Sequence, residues 1–401
     1  MKLRIKSLFM IAALLLLSSG CSSETTPVGE DNITQDSAPE PGEDPDLLTE
    51  DGDKNIQKEK VMDRRAALVT DGSSAMDNGF GQAALKGVQT YADAACVPYS
   101  CYNAVEDTPD SYRDTILAAI EENAELVVCV GPNFEEAVGS LQEEYSDIYF
   151  LLLGGVPRDA SGGEVTIAPN VHCIIYKEEE AGYLAGYMSV LEGYRKFGFI
   201  GGEEISSVQK YGYGYLQGID AAADSLEVSD EVQVEYWYAD TSSPGEEVEE
   251  MSQEWYQAGT EIIFVCGGML YQSVLPAAQS CGGMLIGADV DQSDVSQLFL
   301  TSATKGIDSS IIVALDDFFA NGKSWPEELA GTAISYGARE KCISLPVQND
   351  AWRFKTATTS EYLQVLARLR SGDIEIPIDL ENPPKTAVTV VYYNQQEESD
   401  S

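Results

Sequence analysis

The sequence predicts an α/β protein of two Rossmann-like lobes, each a parallel sheet flanked by helices. Three observations predict it. From Arg64 onward, short β-branched runs alternate with helical stretches, and each run ends in Gly, Asp or a turn, as βαβ units do. The pattern restarts once, after a long helical stretch from Glu178 to Leu191. The chain's 401 residues suffice for two medium cores, because α/β domains recur at about 150 residues.

Taken in order, the runs Ala66 to Thr70, Ser100 to Ala104, Leu126 to Val130, Tyr149 to Leu153 and His172 to Tyr176 read as strands of the first lobe. Helices are expected between them over Gly81 to Ala94, Asp110 to Asn123 and Phe134 to Tyr145. The helix from Glu178 opens with three glutamates, which suit the positive end of a helix dipole. In the second lobe, strands are expected at Phe197 to Ile200, Val232 to Tyr238, Ile262 to Val265 and Leu285 to Ala288. Helices should cover Tyr215 to Ser225, Glu246 to Gln257 and Gln272 to Gln279. A strand at Phe299 to Ala303 and a helix at Ser309 to Phe319 lead back to the first lobe, and Ser360 to Leu369 is a further helix. Lobe 1 is thus expected over 61–176 with about 304–335, and lobe 2 over 177–303 with about 336–394. The polar end, 395–401, is expected to fray. Crossings between lobes make hinges, and the ligand's place is the cleft at the carboxyl ends of the strands.

Ahead of the lobes, Lys2, Arg4 and Lys6 precede an apolar run from Leu8 to Leu17 and the small residues Ser18, Ser19 and Gly20. This is the composition of a secretory signal over 1–20, too short to span a bilayer as a mature helix. Cys21 directly after it resembles a bacterial lipobox, with Ser18 where leucine is usual, so Cys21 is the expected lipidation site and membrane anchor. Residues 21–60 are acidic, with almost no aromatic or β-branched side chains, and read as a disordered linker.

Acidic residues outnumber basic ones 67 to 24, a formal net charge of −43. A nucleic-acid partner is excluded on that balance, since little is left to neutralise phosphates. With one histidine, His172, placed inside an apolar run, zinc sites and histidine-based triads are disfavoured, and no metal or cofactor is expected. Seven cysteines follow Cys21, an odd number that cannot all pair. Most lie in apolar runs as small hydrophobes, and the candidates nearest in sequence are Cys96 with Cys101 and Cys266 with Cys281.

Two loops offer binding residues. The first strand ends in V-T-D and runs through G-S-S-A-M-D-N-G-F-G-Q, placing Asp71, Asp77 and Phe80 before a helix. Phe80 could equally staple the helix, and Asp77 could cap it. The third strand ends in V-G-P-N-F-E-E, presenting Asn133, Glu135 and Glu136, where either glutamate could simply favour the helix N-terminus.

The stretches Y-K-E-E-E-A-G-Y-L-A-G-Y-M, K-F-G-F-I-G-G and Q-K-Y-G-Y-G-Y-L-Q-G-I-D-A-A-A, with I-G-A-D-V-D-Q and T-S-A-T-K after them, resemble the basic membrane protein family of lipoproteins, which includes purine nucleoside receptors. The resemblance covers roughly 61–320 and implies a periplasmic-binding-protein type I clamp. It implies a base held between Phe80 and Tyr211, a ribose met by Asp289, and Lys305 donating to sugar oxygens. Glu136, standing where the family has aspartate, would meet the base edge, and Gly267 and Gly268 would let backbone approach the ligand. Gly81 replaces the family's asparagine, and Met269, Leu270 and Tyr271 narrow the ribose side. The resemblance further implies an extracytoplasmic receptor that binds a nucleoside, a purine first, and serves an ABC importer whose permease and ATPase are separate chains. A surface signalling or adhesion lipoprotein is the alternative, and a nucleoside-processing enzyme a weaker one, for no nucleophile, metal cluster or matched acid pair stands out.

Overall fold

Two open sheets carry the fold. The computed structural model describes residues 65–72 and 79–393. The signal segment, Cys21, the acidic linker, Asp77 and the 395–401 tail lie outside the described residues. The first sheet is built from β1 (Ala66–Thr70), β2 (Tyr99–Asn103), β3 (Leu126–Val130), β4 (Tyr149–Leu153) and β5 (Val171–Tyr176), joined by α1 (Phe80–Ala95), α2 (Pro109–Glu121) and α3 (Glu135–Leu141). The second begins after α4 (Glu178–Glu192) with β6 (Lys196–Gly201), α5 (Ser206–Ser225), β7 (Gln233–Tyr238), α6 (Glu246–Ala258), β8 (Ile262–Cys266), α7 (Tyr271–Cys281), β9 (Met284–Asp289) and β10 (Phe299–Lys305). The chain then returns through α8 (Ile307–Ala320) to β11 (Thr332–Tyr336) of the first sheet. It ends in the second with β12 (Ile343–Ser344), α9 (Thr359–Ser371) and β13 (Thr389–Tyr392).

The strand orders are β11-β5-β4-β3-β1-β2 and β12-β10-β9-β8-β6-β7-β13. All pairings are parallel except β12, which runs antiparallel on β10. Each order reverses beside its first strand, at β1/β3 and at β6/β8, which opens a crevice at the carboxyl ends there.

Strand periodicity decides the core. Ala66 and Leu68 of β1 pack on the side of α1 and α8, while Ala67 and Val69 pack on the side of α2 and α3. Both faces are covered, which is why the strands read as continuous apolar runs. The second sheet is covered by α4, α5 and α9 on one face and by α6 and α7 on the other.

The α4–α5 contact rests on glycine. A Cβ at Gly182 would collide with the Tyr211 carbonyl, and one at Gly186 with that of Tyr215; Gly214 and Gly218 stand in the same relation to Glu179 and Tyr183. The two backbones therefore touch, and neither helix can carry side chains on that line.

Several expectations are corrected. The helix expected from Tyr215 starts at Ser206, because the Gly-Tyr alternation that resembles a loop is the close-packing face of α5. The helix expected over Phe134 to Tyr145 is a 3-10 turn, Pro132–Phe134, followed by α3, which ends at Leu141. Strands β11, β12 and β13, not expected as such, are short elements at the sheet edges. All seven cysteines among the described residues are free.

Candidate functional site

The strand ends deliver the candidate residues to one place. Asp289 closes β9 with a φ of 68°, left-handed backbone that aspartate tolerates better than most residues and that recurs at functional sites. Lys305 closes β10. Its ammonium lies 2.8 Å from Asp289 Oδ1 and 3.3 Å from Glu178 Oε1, the first residue of α4. The other Glu178 oxygen is 3.6 Å from Lys210 Nζ, so two lysines flank one carboxylate that is only 2% exposed. Burial alone would depress the Lys305 pKa, but the Asp289 and Glu178 carboxylates outweigh it and hold the group above the ordinary lysine value. Lys305 is a fixed cation.

Three rings enclose that ammonium. The centroid of Phe80, on the first sheet's α1, is 4.7 Å away; those of Tyr211 and Tyr176 are 5.2 and 5.5 Å away. The Tyr211 hydroxyl lies 3.1 Å from both Asp289 Oδ1 and the Ala303 carbonyl, and accepts from the Asp289 N–H at 3.3 Å. Phe80, Tyr211, Asp289 and Lys305 are therefore brought together, across both sheets. Tyr211 is only 1% exposed, its ring edge-on to Phe264, and the ammonium occupies the space between the two rings where a base was expected.

Gly268 lies beside Asp289, lining with Gly79, Gly267, Tyr271 and Gln292 a cavity of about 20 Å3, room for one water-sized group. A Cβ at Gly268 would press on Ser242 and one at Gly267 on Gly202, so the missing side chains also admit the protein's own backbone. Of the residues expected to narrow this side, Tyr271 lines the cavity, whereas Leu270 is fully buried in the core.

Asn133 and Glu136 are not part of this cluster. They line a separate cavity of about 320 Å3 with Asp107, Tyr112 and Arg158 at the ends of the first sheet's strands. Asn133 Nδ2 donates to the Tyr112 hydroxyl at 3.3 Å, and that hydroxyl donates to Asp107. Glu135 is structural: it pairs with Arg158 at 3.0 Å and accepts from the Val156 N–H at 2.9 Å. Asp71 stands at the end of β1, near an acidic rim drawn from both sheets. Burial, then Asp107, Asp71 and Asp240, push the Glu203 carboxyl above its ordinary pKa.

Glu178, Lys210 and Tyr176 were missed. The triple glutamate had a sufficient explanation at a helix start. The usable signal was the buried side of that helix, where Glu178 precedes the inward Ala181, Gly182 and Ala185, in a chain with few cations to neutralise it.

Two parallel sheets linked by crossings, with polar and aromatic side chains gathered at their carboxyl ends, make a type I periplasmic-binding-protein fold. Solved structures agree: a solute-binding protein of an ABC transporter system from Aeropyrum pernix K1 superposes with a TM-score of 0.67 at 16% identity, covering 79% of this chain and 94% of that one. A second, from Conexibacter woesei, gives 0.60 at 18% identity, with 78% and 98% covered. The chain belongs to the Bmp family of PnrA-like ABC transporter substrate-binding proteins, which residues 64–378 match. It is 26% identical to basic membrane protein B of Borreliella burgdorferi over 71% of this chain and 77% of that protein. It is 22% identical to the ABC transporter nucleoside-binding protein BmpA of Lactococcus lactis, over 79% and 89%. Membership implies an extracytoplasmic protein with a small-molecule ligand and with permease and ATPase partners. Among the described residues no helix is long and apolar enough to cross a membrane, and no group of three or more His, Cys, Asp or Glu could hold a metal ion.

Proposed function

We propose that this substrate-binding protein is a lipoprotein, anchored through Cys21, that captures a nucleoside, a purine first, between its two lobes. The observation that carries the reading is the convergence of Phe80, Tyr211, Asp289 and Lys305 at one point between the sheets. Two rings offer stacking, worth roughly 1 to 3 kcal/mol per base. A carboxylate and an ammonium complement vicinal hydroxyls, and a relative bears the name nucleoside-binding protein. A cavity of about 20 Å3 is far too small for a nucleoside, so capture requires the lobes to part at their crossings and Lys305 to yield its place between the rings. Lobe 1 is assigned to 61–176 with about 304–335 and lobe 2 to 177–303 with about 336–394. Asp71 and Asp77 are assigned to the first lobe's ligand loop. The site is read as one of binding without turnover.

Thermal unfolding in the presence of inosine, adenosine, guanosine, uridine and free ribose tests this. A true ligand raises the midpoint with concentration by mass action. If no nucleoside does so, the reading is wrong, and release of free base during incubation would replace it with an enzyme. Mass spectrometry of the membrane fraction tests the anchor, which an unlipidated Cys21 would refute.

A further inference from the structure

The ammonium of Lys305 stands where a base would stand. It lies 4.7 Å from the Phe80 centroid and 5.2 Å from that of Tyr211, within the range of about 4.5 to 7 Å that separates stacked ring centroids. The groups it joins come from both sides of the fold. Phe80 opens α1 and Tyr176 closes β5, both with the first sheet, and their rings meet edge to face at 6.1 Å. Tyr211 of α5 and Lys305 of β10 belong with the second sheet. One side chain thus makes the contacts that a ligand held between the lobes would make.

Three rings around an ammonium, with carboxylates at 2.8 and 3.3 Å, form the kind of cage in which proteins hold organic cations. Here the cation is tethered to the wall of its own cage. The two carboxylates, Asp289 and Glu178, are matched by two lysines, Lys305 and Lys210. Charge is therefore balanced whether or not the ammonium lies between the rings. The four-carbon stem is flexible, so the carboxylates can keep the charge while the rings release it. Release forfeits the cation–π contacts, which are strongest where water is excluded, and the Lys305 side chain is only 5% exposed.

We propose that Lys305 is an intramolecular competitor for the base: its ammonium holds Phe80 and Tyr211 about itself, and a base enters only by displacing it. The inference rests on the proposed seating of a base between those two rings, and it adds a threshold that every ligand has to overcome.

Calorimetric titration of the full chain with adenine tests it, because the free base needs the rings and lacks the sugar that Lys305 also serves. Losing a desolvated cation–π contact corresponds to roughly a tenfold change in binding, so Lys305→Met should bind adenine about tenfold tighter than the parent. Adenosine should gain less, since the variant has lost a donor to its sugar. Glu178→Gln keeps the shape of the side chain and leaves Asp289 on the ammonium; it should loosen the competitor and tighten adenine by a smaller factor, and it decides the matter if Lys305→Met does not fold. Adenine bound no tighter by the folded variant than by the parent, or not bound by it at all, would overturn the inference, and adenosine binding to the parent would then leave the nucleoside reading standing. Adenosine bound by neither parent nor variant would remove both.

Discussion

Lys305 and Asp289 form a 2.8 Å ion pair, and Glu178 meets the same ammonium at 3.3 Å. Lys305→Met strands two carboxylates, one of them 2% exposed. Loss of one partner of a buried pair costs about 3 to 5 kcal/mol, and urea unfolding should show a loss of that order. Asp289→Asn should cost less, because Glu178 still meets the ammonium. A Lys305→Met protein as stable as the parent would show that the charges relax into water.

The two rings should respond differently. Phe80 is half-buried, and its replacement by Ala should weaken nucleoside binding by the roughly 1 to 3 kcal/mol of a stacked base with a small change in unfolding midpoint. Tyr211 is buried to 1% exposure, so Tyr211→Ala should destabilise the fold by about 3 to 5 kcal/mol, mixing two effects. Tyr211→Phe is the cleaner probe: it removes the hydroxyl next to Asp289 and keeps the ring. Calorimetry beside thermal melts separates these outcomes, and equal behaviour of the two alanine variants would contradict the difference in burial.

Gly214→Ala should destabilise, although alanine is the better helix former by about 1 kcal/mol. The added methyl meets the Glu179 carbonyl, part of a backbone that cannot turn aside. Overpacking of this kind costs typically 1 to 3 kcal/mol, so a lower melting temperature is expected; a higher one would mean that α4 and α5 can separate.

Stability should depend on pH through two opposing groups. Burial lowers the His172 pKa from 6.5 to about 4; its ring packs on Trp325, and its Nε2 has no partner. Its contribution is complete above 6.5 and is lost as pH falls from there to about 4, by about 3 kcal/mol. Burial, reinforced by Glu178 and Glu180, pushes the Glu179 carboxyl from 4.5 up to about 7, against the pull of its own backbone N–H and Lys210. That stability is complete below 4.5 and is lost as pH rises through 7. The slopes oppose each other between about 4.5 and 6.5. Urea midpoints across this range should be nearly flat in the parent, rise with pH in Glu179→Gln and fall with pH in His172→Leu.

The central strands were legible because burial on both faces leaves a plain apolar run: β1, β3 and β4 fall where the sequence puts them. Helix α5 was half legible, since glycine disfavours helices locally and only the neighbouring α4 shows why it is needed there. Strands β11 and β13 take their conformation from the edges they join, β5 and β7, and such pairing leaves little mark on a single short segment. In the site, Asp289 and Lys305 were found at strand ends. Glu178 was not, because its role is set by a lysine 127 residues further on. Asn133 and Glu136 were placed with the cluster because they end a neighbouring strand, yet they open on a different cavity.

β11 joins β5 with Thr332 opposite His172, and Trp325 donates to the Asn170 carbonyl at 3.1 Å on the way. During synthesis, β5 is complete long before its neighbour exists, and the whole of β6 to β10 must emerge in between. Until then the first sheet has an unpaired edge, open to other chains. The first half of the polypeptide lacks an edge strand of its own sheet until residues 332–336 emerge, so late completion of that sheet is the expected biosynthetic history. Splitting the gene at the first crossing should leave an amino-terminal fragment that aggregates through its open sheet edge, while the other fragment keeps every strand of the second sheet.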